Sequence, residues 1–138
     1  MFIKHNLFES ISVFLILQVS LIIVIADEVE EDWHQFDVNS QDAKQLTQNA
    51  RNEYSYVHND SNELAVAEII SAFYKLTSDS AVHYHIEAKF GETDCPKGYY
   101  ADTCKLLEEG VVKKCDISVY HPYHASRYTT VECSLSEN

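Results

Sequence analysis

Glycine and proline are scarce, with 3 and 2 among 138 residues. That excludes collagen-like repeats and Pro- or Gly-rich linkers, and it leaves no Gly-rich loop to cradle a phosphate. Positive charge is also short: 10 Lys and Arg stand against 22 Asp and Glu, for a net charge of −12. A surface of that sign repels phosphates, so neither nucleic-acid binding nor docking on anionic lipid is expected. Neither G-x-S-x-G nor H-E-x-x-H occurs, and no pair of carboxylates stands out among so many scattered acids. No enzymatic activity and no cofactor is therefore expected. What is present is a 46% apolar and 12% aromatic composition. That is too apolar for a wholly disordered chain and enough for one domain of ordinary size.

The apolar residues are unevenly spread. Lys4 lies in a short polar start, and Ile11–Ala26 then runs for 16 residues without a charge. A basic start, an apolar run and a small residue at its end mark a secretory signal peptide, here residues 1–26 with cleavage after Ala26. The run is shorter than the ~20 residues that span a bilayer as a helix. A secreted, extracellular product with no membrane attachment after cleavage is expected. Removing 26 residues from 138 leaves 112, and the charge stays at −12 because one acid and one base leave together.

Export changes how the cysteines read. Cys95, Cys104, Cys115 and Cys133 all fall late in the chain, and in an exported protein disulfides are the default. Four cysteines allow three pairings; local strand logic favours Cys95–Cys104 and Cys115–Cys133, the second joining two arms of a hairpin. Intervals of 8, 10 and 17 residues contain no C-x₂₋₄-C knuckle, which disfavours zinc.

Residues 27–37 carry six acids and no Lys or Arg, the composition of a flexible, solvated N-terminal arm. Trp33 and Phe36 on it can either contact a partner or fold back on the domain that follows, residues 38–138. Asn39–His58 reads as a helix, capped by Asn39 with Asp42 in its first turn, and with Ala43, Leu46, Ala50, Tyr54 and Val57 as one stripe. Asn59-Asp60-Ser61 ends it and forms an N-x-S sequon, so glycosylation of Asn59 is expected. Leu64–Leu76 is ambiguous, since its apolar spacing is helical and its Val, Ile, Phe and Tyr content is that of a strand. Val82–Phe90 alternates cleanly as a half-buried strand, as do Cys115–His121 and Arg127–Leu135. Thr77–Ala81 and Pro122–Ser126 are the loops between strands, and Pro122, which cannot donate to a ladder, marks the second turn. One helix followed by about four antiparallel strands is an α+β layer.

His83 and His85 point to the same face of their strand. Two histidines can chelate an ion, but no third ligand is evident at fixed spacing, so exposed titrating histidines and no metal are expected.

The order of elements, with Ala50-Arg51-Asn52-Glu53-Tyr54 on the helix, the run Lys89-Phe90-Gly91-Glu92-Thr93-Asp94-Cys95, Lys113-Lys114-Cys115 and Pro122-Tyr123, resembles the type 2 (secreted) cystatins over nearly all of Asp37–Leu135. The resemblance implies one long helix packed on an antiparallel sheet of four to five strands, with Leu64–Leu76 as a strand. It also implies inhibition of papain-like cysteine proteases without covalent chemistry, through a wedge formed by the N-terminal arm and two hairpin loops; a monomer is expected. Protease contact then falls to Thr77, Ser78, Asp79, Ser80 and Ala81 in the first loop and to Pro122 and Tyr123 in the second.

The wedge residues depart from the family pattern. Thr77-Ser78-Asp79-Ser80-Ala81 stands where the family has Gln-Val-Val-Ala-Gly, and no Gly precedes Gly91 to bend the arm. Exchanging two buried valines for Ser and Asp forfeits about 3–6 kcal/mol, which is roughly two to four decades of dissociation constant. Tyr123 keeps an aromatic anchor where the family has Trp. The alternative is a cystatin-fold binding or effector protein that does not inhibit.

Overall fold

The computed structural model describes residues 32–136; the expected signal peptide and the first residues of the arm lie outside them. Five strands and one helix follow in the order β1 (His34–Gln35), α1 (Gln41–Val57), β2 (Asn62–Leu76), β3 (Val82–Pro96), β4 (Val112–His121) and β5 (Tyr128–Leu135). The strands pair antiparallel in sequence order as a single five-stranded meander, and α1 crosses one face. Among the described residues no helix is long and apolar enough to cross a membrane.

The helix starts one residue later than its composition suggests. Ser40, not Asn39, is the cap: its Oγ accepts the Ala43 N–H at 3.2 Å. Asn39 instead donates its backbone N–H to Asp37, so its geometry belongs to the preceding turn. Ala43, Leu46, Ala50 and Tyr54 form the buried stripe, but Val57, the last residue of α1, is 71% exposed. Arg51, which periodicity assigns to the polar face, is buried. Its guanidinium meets Glu63 at 3.2 Å and lies over the Tyr100 ring at 3.9 Å. Glu63 also accepts from Ser55 and from the Gly98 backbone N–H, so the buried carboxylate has the several partners that make such burial tolerable.

The core between helix and sheet is built from that stripe with Leu64 and Ala72 of β2, Ile86, Ala88 and Phe90 of β3, and Cys115, Ile117 and Val119 of β4. β2 is a strand along its whole length. Its register shifts between Asn62 and Leu64, between Val66 and Glu68, and between Ile69 and Ser71. Such irregularities bend a strand and increase its twist, which lets fifteen residues curl across the helix. β3 runs on to Pro96, five residues beyond Gly91, so the connection to β4 is shorter than the composition implied.

Both disulfides join the expected partners, Cys95 to Cys104 and Cys115 to Cys133, and no cysteine is free. The second joins residues directly opposite each other on β4 and β5.

Candidate functional site

The meander puts both hairpin loops at one end of the sheet. Leu76 pairs with Val82 across the first loop, and Val82 pairs with His121, the last residue of β4 before the second loop. The N-terminal segment reaches the same end. His34 and Gln35 pair with Tyr74 and Phe73, and Phe36 donates its N–H to Ala72. The arm is therefore not free over its second half. Phe36 packs on the core, and Trp33 folds back onto the open face of the sheet, against His83 at 5.2 Å and His85 at 6.2 Å between ring centroids. Lys75 sits 5.0 Å from the Trp33 ring.

The first loop is closed by its own hydrogen bonds. Thr77 N–H donates to Ala81 O at 2.9 Å and Ser80 N–H to Thr77 O at 3.0 Å. The single Thr77 hydroxyl proton is shared between the Ala81 carbonyl, at 3.1 Å, and Asp79. Ser80 takes a left-handed conformation, with φ at 62°, which few residues other than Gly adopt without cost. Asp79 is held from outside the loop as well, since the Tyr120 hydroxyl on β4 donates to its other oxygen. The bonds from Thr77 and Tyr120 hold the Asp79 carboxyl below the ordinary carboxylate range. The same bond to Asp79 pushes the Tyr120 hydroxyl up.

Of the residues expected to meet a protease, Ser78, Asp79 and Ser80 are exposed, and Thr77 and Pro122 are half-buried. Ala81 is not available: it is 1% exposed, turned inward at the base of the loop. Tyr123 stands 76% exposed at the second tip, edge-on to His124. Two contributors escaped the sequence reading. Leu76, 65% exposed immediately before the first loop, lends that loop an apolar shoulder. Tyr120 ties the first loop to the strand that leads into the second. Its signal was its place as the last open-face aromatic of an alternating strand, which identifies a direction but not the carboxylate it finds.

A cystatin-domain family model matches residues 33–124, two-thirds of the sequence. The chain belongs to the cystatin family. Among solved structures this cystatin is similar to Al-CPI, with a TM-score of 0.68 at 18% identity over 76% of this chain and 99% of that one. It is similar to dimeric human cystatin F, with a TM-score of 0.65 at 16% identity over 81% and 94% of the two chains. Mouse fetuin-B, solved in complex with crayfish astacin, matches with a TM-score of 0.66 at 16% identity over 75% of this chain but 34% of its own. No curated protein sequence matches. At such identities the likeness to these structures is one of fold. The helix-on-meander architecture expected for a divergent cystatin is the one present.

Proposed function

We propose that this cystatin is a secreted, non-covalent inhibitor of papain-like cysteine proteases, acting as a monomer through the end of the sheet where both loops and the N-terminal segment converge. The observation that carries this reading is that three exposed apolar side chains stand at that end: Tyr123, Leu76 and Trp33, the last 43% exposed. Rings and branched chains that exchange water for a cleft wall supply affinity. Pro122 and Tyr123 make the central contact, with Thr77, Ser78, Asp79 and Ser80 at its side. No thiol is free to react, which supports inhibition by occlusion. Secretion is supported by the apolar leader and by two disulfides, which persist in oxidising compartments. Asn59 is exposed just past α1, where a glycan would be accommodated.

The test is titration of the purified protein against papain and several relatives of it. Reversible inhibition is expected, competitive with peptide substrates. Absence of inhibition at micromolar concentration defeats the reading. One observation favours a second reading, a binding or effector protein without inhibitory activity. Asp79 presents a charge at the tip of the first loop, bound to groups of its own chain, and burying it against a protease is costly unless the protease provides a partner. That outcome would appear as a folded protein that leaves every protease tested fully active.

A further inference from the structure

The face of the sheet turned away from α1 gathers a histidine and carboxylates from neighbouring strands. His85 and Glu87 stand two apart on β3, so both side chains leave the same face. Asp116 of β4 lies directly opposite Glu87, and Glu132 of β5 lies directly opposite Asp116. One ligand atom from each of His85, Glu87 and Asp116 falls within 4.8 Å of the other two. A depression beside them is bordered by His85, Asp116, Ser118, Thr130 and Glu132.

This row of acids is electrostatically incomplete. Like charges directly opposite in a sheet repel. Lys114 meets Glu87 at 3.2 Å, while Asp116 and Glu132 make no ion pair among the described residues. His83, the other histidine on this face, has its Nε2 at 2.7 Å from Ser118 Oγ.

We propose that His85, Glu87 and Asp116 bind a divalent transition ion of the zinc class. One imidazole and two carboxylates form a mixed nitrogen and oxygen donor set that suits zinc, whereas calcium and magnesium take oxygen ligands almost exclusively. Tetrahedral bonds of about 2.0–2.2 Å bring ligand atoms roughly 3.5 Å apart. Glu87 has the rotatable bonds to close the remaining gap, and its second oxygen can keep Lys114. Three protein ligands leave one position open to water. The ion would also offset the repulsion along the row, which couples binding to the stability of β4 and β5.

The experiment uses protein purified after expression of the full-length chain, stripped with a chelator and titrated with zinc sulfate by calorimetry at neutral pH. One saturable site in the micromolar range is expected, with a change in the emission of Trp33, the only Trp in the sequence, whose ring lies 6.2 Å from that of His85. His85→Ala and Asp116→Asn should each weaken binding by about tenfold or more, and His124→Ala should leave it unchanged. Both site residues lie on the sheet surface outside the core, so circular dichroism of the variants should match the parent. If His85→Ala alone fails to fold, Asp116→Asn decides. The proposal is overturned by any of three results: no saturable site at submillimolar zinc, binding that survives both substitutions, or calcium bound in preference to zinc.

Discussion

Between Leu76 and Val82 the chain turns inside a net of its own hydrogen bonds. Between His121 and Tyr128 it turns at Tyr123 and His124 with no side-chain hydrogen bond among residues 122–126. The first loop is stiff and polar, tied at both ends of Thr77 and anchored through Asp79 to Tyr120. The second is held by the fixed ring of Pro122 and carries Tyr123 nearly free in water. Affinity draws on two resources, apolar surface to bury and freedom already lost before binding. In this cystatin each loop has one of them. The first is preorganised with little to bury, and the second has a large ring to bury but must order it.

Giving the first loop what it lacks should produce the largest effect. Ser78→Val combined with Asp79→Val restores two apolar side chains at the tip, worth about 1.5–3 kcal/mol each when buried. Inhibition of papain should tighten by roughly two decades or more, read as an inhibition constant; an unchanged constant would mean that this loop does not enter the cleft. Removing what the second loop has should cost somewhat less. Tyr123→Ala is expected to weaken inhibition by about 2 kcal/mol, close to thirtyfold. An equal loss from Ser80→Ala would erase the contrast between the loops.

The anchoring of Asp79 can be read without a protease. Its carboxyl lies below the ordinary range in the folded loop, so the ionised form is the one that folding favours. The stabilisation is complete above the unfolded pKa of about 4 and is lost as pH falls through the lowered folded value. An NMR titration should place the Asp79 midpoint below that of a model peptide. Tyr120→Phe should move it upward but not fully back, since the bond from Thr77 remains; a midpoint at or above the ordinary value in the parent protein would contradict the hydrogen-bond net. The smallest effect is at Ser80. Ser80→Gly should raise stability by up to ~1 kcal/mol by relieving the left-handed conformation, measured by denaturant unfolding. A destabilised variant would show that Gly's extra freedom in the unfolded chain dominates.

β2 shows why part of the fold was hard to read. Leu64, Val66, Ile69 and Ala72 face the helix, at intervals of two, three and three. The shifts between Val66 and Glu68 and between Ile69 and Ser71 each add a residue to β2, so a bulged strand imitates the spacing of a helix. β3 and β4 keep strict pairing from Val82–His121 to Gly91–Val112, and there alternation alone was sufficient. The cap moved from Asn39 to Ser40 for a comparably local reason, since both residue types can cap and only the path of the preceding turn selects one.

The candidate tip was legible in its sequence limits and only partly in its exposure. Thr77–Ala81 and Pro122–Ser126 follow from polar and proline punctuation between alternating segments. Which of their side chains reach outward did not follow. Ala81 turns inward, Leu76 turns outward, and Tyr120 reaches across strands to Asp79. These depend on neighbours forty residues away, to which no local pattern refers.

By itself the sequence determined the helix, the alternating strands and the limits of both loops, and it favoured the two cysteine pairs that the structure joins. All of these rest on short-range spacing or on composition, which survive without knowledge of the fold. Tertiary structure decided what contact between separate elements alone can decide. It buried Arg51 on Glu63, laid Trp33 over the histidines, fixed Asp79 from a second strand, and set His85, Glu87 and Asp116 side by side. Sheet register converts distance along the chain into contact, and that conversion is where the chemistry of this protein resides.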